Sequence, residues 1–568
     1  MKRVRVALCQ MNCRVGAIGR NVSAIRRNTE KAIASGADIV CFPELAVCGY
    51  QPEDLLLKPA FIEKNIQGMK ELKKAAYPVT MVFGFVERGG TKKSPLIHNA
   101  AAVVSGGRLS GIYRKNRLPN YGVFDESRYF ESGKDTPVFE GGGFRAGVTI
   151  CEDIWFADGP AAAMAERGAD LIINLSASPY AIGKPQAREK MLSKRAKSAG
   201  VPLAFCNLAG GQDELVFDGH SAFLDARGKV TARARGFGED MIFGDFEIPG
   251  RQKKKLQSAE YKIKSPSAKE KSPPPPRMER FTEREAEIFS ALVLGTRDYV
   301  EKNGFKSVVL GLSGGIDSAL VAAVAVEALG AEKVAAVNMP SVFSSSPGIR
   351  DSEKVARNLN IELLSVPIQD IVDSYRKNVS APFKLHSGEK SSPALENIQA
   401  RVRGNILMAF SNRFGWLVLT TGNKSELSIG YSTLYGDTAG GFAVIKDVKK
   451  TLVYDLARFY NRKRGFDAIT NSVIERPPSA ELKRGQLDSD ELPPYEVLDE
   501  ILKHYVERDR SVAETVALSG MGVKTVRKVI DMVDRNEYKR RQSPPGIKLT
   551  DKAFGKDRRM PITNLYRN

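Results

Sequence analysis

Short apolar runs separated by helical stretches fill the first half of the chain. In VRVALC, Val4, Val6 and Leu8 recur at every second position, which predicts an opening strand with one face on a core. A helix is predicted near 21–35, and DIVCFPEL, VTMVFGFV, AAVVSGG, AGVTIC, DLIINLSAS and PLAFCNLA read as further strands. Strands interleaved with helices, with a hairpin-like run in the middle, predict an α/β sandwich over 1–248. The pattern then breaks. Residues 250–276 are basic and serine-rich and close with four prolines, so they have little to bury; 249–279 are expected to form an extended or mobile tether.

Apolar periodicity returns from about residue 280, where Ile288, Leu292 and Leu294 mark a helix leading toward SVVLGLSGGIDSAL. In that stretch Val308, Val309 and Leu310 run as a strand into a Gly/Ser-rich turn, and ALVAAVAVEAL follows as a buried helix to about residue 329. The strand KVAAVNMP, a helix near 351–360, the strand IELLSVPI, a helix near 395–414 and the strand WLVLTTG continue the alternation. Such regularity predicts a doubly wound parallel sheet over 280–568, with ligands beyond the carboxyl ends of its strands. Residues 497–535 read as helical. AETVALSGMGVKTVRKVI has the outline of a helix-turn-helix, but a helix pair that covers substrate or meets another subunit is the expectation.

Composition narrows the class without naming the chemistry. Over 568 residues, 42% hydrophobic and 27% charged content is that of a soluble globular protein, and the longest apolar runs are too short to span a bilayer. With no signal-peptide pattern at the start, a cytoplasmic location is expected. Six cysteines form no C-x-x-C pair, and with four histidines no zinc cluster is expected. The net charge of +20 raises nucleic acid as a partner. Ten basic against three acidic residues in 251–280 account for part of it, and the remainder lacks interleaved aromatics, so anionic small substrates are expected instead.

Candidate chemistry sits at strand ends. In the loop formed by Leu312, Ser313, Gly314, Gly315, Ile316, Asp317 and Ser318, the glycines allow close backbone approach, the serines offer hydroxyls, and the helix start offers free N–H groups. That is a phosphate cradle. No lysine follows the glycines; Asp317 stands there, and a carboxylate beside phosphate implies Mg²⁺. In TTGNKSE, Thr421 can meet a nucleotide and Glu426 can share the metal with Asp317. In the first half, Glu44 ends DIVCFPEL, Lys115 follows GIY, and Cys151 ends AGVTIC. A thiol needs deprotonating, a leaving amine needs a proton, and an oxyanion needs a cation; glutamate, cysteine and lysine divide those tasks.

CFPEL, YRKNRLPNYGVFDE and GVTICEDIW resemble the signature segments of the nitrilase-type amidase superfamily. The resemblance implies an αββα sandwich with Glu44 as general base, Lys115 stabilising the transition state and Cys151 as nucleophile. It also implies that Tyr121, Ser178 and Lys184 hold the α-amino and carboxylate groups of glutamine; Tyr121 reads equally as a packed aromatic. SGGIDS resembles the pyrophosphate loop of the Rossmann-like ATP-pyrophosphatase superfamily, which leaves the acceptor open. ALENIQARVRGNIL, TTGNKSELSIGYSTLYGDTAGG, FAVIKDVKKTLVYDLAR, ERPPSAEL and YKRRQSPPGIK resemble, as a set, the long glutamine-dependent form of the NAD synthetases. This implies ATP, glutamine and deamido-NAD as substrates, Mg²⁺ at Asp317 and Glu426, and Lys450 on the ATP phosphates. It further implies Asn397, Arg401, Glu426 and Lys539 on deamido-NAD, ammonia passing from one half to the other, and a homo-oligomer built through the synthetase domain.

Overall fold

The computed structural model describes residues 3–90, 95–247, 261–265, 277–386 and 393–566. The chain divides into two compact units, Met1–Thr282 and Glu283–Asn568.

The first unit is built on two sheets. One has six strands in the order Asp240–Glu247, Arg3–Gln10, Ile39–Cys41, Thr80–Gly90, Pro95–Ser105 and Arg108–Arg114. The second has seven: Val230–Arg233, Ala222–Leu224, Leu203–Asn207, Leu171–Ser176, Phe144–Ile150, Val138–Gly141 and Tyr261–Lys262. The period-two pattern of the first strand sets the layers. Val4, Val6 and Leu8 join Val148, Ile150 and Ile173 in the core between the sheets, whereas Ala7 and Cys9 share a second core with Val22 and Ile25 of the helix Ile18–Ala34. That is the expected αββα order, and the hairpin-like middle is the antiparallel run of the strands Thr80–Gly90, Pro95–Ser105 and Arg108–Arg114. All six cysteines are buried and none is in a disulfide.

Two local expectations need correction. The strand carrying Glu44 stops at Cys41, so the carboxylate stands in the turn beyond it. The turn is tight: Leu45 has φ of 46°, and a Cβ at Gly84 on the neighbouring strand would come within 2.1 Å of the Leu45 nitrogen, so only glycine lets the two backbones approach. The supposed tether is also not wholly free. Tyr261 and Lys262 pair with Val138–Gly141, and the Tyr261 ring stacks on Phe139 at 5.3 Å. The rest of that segment, apart from 261–265 and 277–279, lies outside the described residues.

The second unit holds a parallel sheet in the order Glu362–Ser365, Val334–Asn338, Val308–Gly311, Leu417–Thr420 and Phe442–Ala443. Chain order reverses between Val308–Gly311 and Leu417–Thr420, which makes the carboxyl ends of those strands the ligand crevice of a doubly wound fold. Val309, Val337 and Val418 cover one face against Val372 and Val402 of the helices Gln369–His386 and Pro393–Phe414. Tyr495–Tyr505 and Val523–Arg535 are helices with their own core around Leu498, Ile501, Val529 and Ile530. No helix among the described residues is long and apolar enough to cross a membrane.

Candidate functional site

In the first unit Lys115 and Cys151, each directly after a strand, and Glu44, in the turn beyond Ile39–Cys41, meet at one buried point. Lys115 Nζ donates to Glu44 Oε1 at 2.7 Å and to Glu126 Oε1 at 2.8 Å. Glu44 Oε1 also accepts from Asn99 Nδ2 at 2.7 Å, and Oε2 accepts from the Ala177 N–H at 3.0 Å. Burial alone would pull the Lys115 ammonium down; the two carboxylates overrule it and hold its pKa well above the usual lysine value. Cys151 opens the turn Cys151–Trp155 with φ of 41°, a left-handed conformation that breaks the strand at the thiol. Burial pushes that thiol up, Glu44 adds to the rise, and Lys115 and a hydrogen bond with Ser176 oppose it. At rest the sulfur therefore keeps its proton, and attack requires a base in the same step.

Glu126 is the participant that sequence reasoning missed. It lies 11 residues after Lys115 inside YRKNRLPNYGVFDE, accepts from Tyr50 OH at 2.9 Å, and is pushed up to about 7 by burial, with Lys115 pulling down and Glu44 pushing up. Its presence in the segment was visible, but its burial beside the lysine was not. Asp153 was missed too. It accepts from the backbone N–H groups of Asn116 and Arg117 and from Tyr113 OH, tying the Lys115 loop to the Cys151 turn.

The three residues expected to hold glutamine gather at the same place. Tyr121 is 59% exposed, its hydroxyl donates to Glu152 at 3.0 Å, and its ring meets Phe124 edge-on at 5.4 Å, so it combines a polar contact with aromatic packing. Burial raises the Glu152 carboxyl, and Tyr121, Lys115 and Lys184 act against that rise, so Lys184 faces the same carboxylate. Ser178 is buried, next to the Ala177 amide that binds Glu44, and its hydroxyl accepts from Arg188 Nη1 at 3.4 Å.

Arg188 in turn meets Asp218 in a buried pair that His220 Nδ1 joins at 2.8 Å. Burial would raise Asp218, but Arg188 and His220 hold it well below the usual carboxylate range. Asp218 therefore contributes stability that is complete above its unfolded value near pH 4 and is lost as pH falls through the lowered folded value. Arg188→Met should cost about 3 kcal/mol in urea unfolding at neutral pH, because Asp218 is left buried without its main partner.

In the second unit Leu312 and Ile316 are buried, so they can meet a ligand only through the main chain. Gly314 has φ of +82°, and a Cβ there would stand 2.1 Å from the Gly348 oxygen, so no other residue fits. Ser318 Oγ donates to the Gly315 oxygen at 2.9 Å and Ser313 Oγ accepts the Gly315 N–H at 3.2 Å, which shapes the loop. Arg476, in ERPPSAEL, donates to the Gly314 oxygen at 3.2 Å and pairs with Asp351. Asp317 and Glu426 converge on one cation, the Lys450 ammonium, with Glu426 at 3.1 Å. Asn423 caps the helix Lys424–Ile429 and donates to Asp317 at 2.9 Å. Glu426 is pushed up to about 7 by burial, with Lys450 opposing and Asp317 adding. Two carboxylates around a single positive charge form a donor set that suits a hard divalent cation completed by phosphate and water.

Thr421 follows the strand Leu417–Thr420 directly, half-buried beside this cluster's helix. Asn397, Arg401 and Lys539 meet a neighbouring loop. Asn397 accepts from Thr433 Oγ1 at 2.7 Å, Arg401 donates to the Leu434 oxygen at 3.2 Å, and Lys539 donates to the Gly430 and Ser432 oxygens at 2.7 and 2.8 Å.

Fold and site together define a carbon-nitrogen hydrolase joined to a nucleotide-dependent synthase. Residues 5–253 match the carbon-nitrogen hydrolase family and residues 288–543 the NAD synthase family. The glutamine-dependent NAD(+) synthetase of Thermotoga maritima is 47% identical over 585 aligned positions spanning 100% of each chain. That of Acinetobacter baylyi is 42% identical over 570 positions, covering 100% of this chain and 99% of its own. A solved glutamine-dependent NAD+ synthetase of Acinetobacter baumannii, in complex with adenosine diphosphate, is 42% identical with a TM-score of 0.75, over 99% of this chain and 98% of that one. The chain belongs to the glutamine-dependent NAD(+) synthetase family.

Proposed function

We propose that this chain makes NAD from deamido-NAD, ATP and glutamine, and that each unit performs one half of the chemistry. The reading is carried by one observation: a buried thiol, carboxylate and lysine cluster and a glycine-rich loop facing two carboxylates occur in a single chain. In the first unit Cys151 Sγ attacks the side-chain amide carbon of glutamine while Glu44 takes the thiol proton and passes it to the departing nitrogen. Glu44 Oε2 accepts only the Ala177 N–H among the described residues, so it keeps a lone pair for that proton. Lys115, fixed between Glu44 and Glu126, offsets the negative charge that develops on the amide oxygen. Ammonia leaves, and water hydrolyses the γ-glutamyl thioester with Glu44 again as base. Tyr121, Ser178 and Lys184 hold the amino and carboxylate ends of glutamine.

In the second unit the nicotinate carboxylate attacks the α-phosphorus of ATP, pyrophosphate departs, and ammonia displaces AMP. The loop from Leu312 to Ser318 receives the phosphates through its N–H groups and hydroxyls, with Thr421 and Lys450 beside it. Asp317 and Glu426 would hold Mg²⁺, which when bound neutralises the pyrophosphate that leaves. Asn397, Arg401, Glu426 and Lys539 orient deamido-NAD, supported by the convergence of Asn397, Arg401 and Lys539 on one loop. The protein works in the cytoplasm as a homo-oligomer through the synthetase unit, without nucleic acid as a partner. Product analysis tests the course: one AMP and one pyrophosphate per NAD are expected, and ADP with phosphate would exclude it.

Glutamate release should fall on the acid side with a midpoint near pH 7, because protonation of Glu126 removes one of the two carboxylates holding Lys115. Glu126→Gln should erase that acid limb, holding the rate about 10²-fold below the native plateau above pH 7 and bringing the two profiles together on the acid side. A native profile that is flat through pH 7 would separate Glu126 from the reaction.

A further inference from the structure

The helix Tyr495–Tyr505 opens the stretch whose sequence suggests a lid or a helix-turn-helix, yet it reaches under the phosphate site. Its Asp499 is buried and bonded on both oxygens. Oδ1 accepts from Ser425 Oγ, and Oδ2 accepts from the Thr451 N–H at 3.0 Å and from Thr451 Oγ1 at 2.8 Å. Ser425 Oγ itself accepts the Lys450 N–H at 2.9 Å. Ser425 immediately precedes Glu426, and Thr451 immediately follows Lys450, so one carboxylate grips the first turns of two helices, Lys424–Ile429 and Lys450–Arg464.

From this arrangement, which rests on the reading of Asp317, Glu426 and Lys450 as the ATP and Mg²⁺ site, we infer that Asp499 is a positioning residue. It sets the separation of Glu426 from Lys450, and with it the shape of the cation site, without touching substrate. The helix start carrying Glu426 has a second tie, the Lys424 N–H to the Val448 oxygen at 2.8 Å, so the two elements stay adjacent when the carboxylate is lost. The Lys424 ammonium also pairs with Asp447 at 2.8 Å and Ser425 Oγ still meets the Lys450 N–H, so what is lost is the one tie that holds both first turns from a third helix. The same helix supplies Tyr495, whose ring lies 5.4 Å from Lys450 Nζ, so two of its residues meet the lysine's surroundings.

The test is calorimetric titration of the full chain with ATP, with and without Mg²⁺ and without deamido-NAD. Asp499→Asn turns its amide N–H₂ toward one set of donors, Ser425→Ala removes the hydroxyl shared with Lys450, and Thr451→Val removes one arm. The Mg²⁺-dependent gain in ATP affinity should shrink about tenfold in Asp499→Asn and Ser425→Ala, the scale of a hydrogen bond to a charged group, and less in Thr451→Val. Thr451→Ser, which keeps the hydroxyl, should bind as the native protein does. Undiminished Mg²⁺-dependent gain in all three disruptive variants overturns the inference, and so does a loss confined to Asp499→Asn. Native protein that binds no ATP would instead remove the reading of the site, and this inference with it.

Discussion

Cys151→Ala is expected to lose NAD formation from glutamine by more than about 10⁴-fold while forming NAD from an ammonium salt at the native rate. The substitution deletes one sulfur from a tight, buried position, so its structural cost is of the order of 1 kcal/mol and the fold survives. The chemical cost is of another size. Alanine offers no electron pair to the amide carbon, and the base Glu44 has no thiol to deprotonate. The five other cysteines are all buried in the first unit, and neither Glu44 nor Lys115 is among the charges acting on Cys9, Cys41, Cys48 or Cys206, so these four lack the base that serves Cys151. The paired assay decides between readings. Loss of both reactions by the same factor would mean that the fold was damaged, and loss of neither would place the nucleophile elsewhere.

Asp317→Asn should behave in the opposite way, lowering NAD formation from either nitrogen source by about 10²–10³-fold while glutamate release continues. The side chain keeps its shape and can still meet Asn423, so the loop persists. The charge balance does not. Burial opposes the Lys450 ammonium, and Asp317 is the first of the two carboxylates that reverse the effect; with an amide there, Glu426 alone must compensate the lysine and any divalent cation. Pyrophosphate release in the presence of deamido-NAD isolates the adenylation step. If that step runs at the native rate in Asp317→Asn, the carboxylate has no part in it.

The two sites were legible to different degrees, for reasons that lie in their construction. The phosphate loop is local: strand, glycines, hydroxyls and helix start follow one another between Val308 and Ser318, so Ser313 to Ser318 could be picked out before any fold was known. The thiol cluster is not local. Glu44 and Lys115 are 71 positions apart in their ion pair, and only the motif set, not spacing, suggested that they meet. Glu126 shows the limit more sharply. It stood in a motif already singled out, but a carboxylate in a loop is ordinarily solvated, and its role follows from burial against Lys115 and Tyr50. Asp499 gave no signal at all, since an aspartate in an amphipathic helix reads as surface until the helix is docked.

The sequence by itself determined the layer order of each unit and the residue types available for chemistry, because period-two and helical patterns, turn glycines and short motifs act over a few residues. It also determined the family, through motifs spread along the whole chain. Tertiary structure alone decided which charges become partners: that Lys115 lies between two carboxylates, that Arg188 and Asp218 are buried together under Ser178, and that Tyr261 leaves the supposed tether to extend a sheet. Those outcomes depend on desolvation and on contacts between distant segments, and a charge's partner is fixed only when water has been excluded around it.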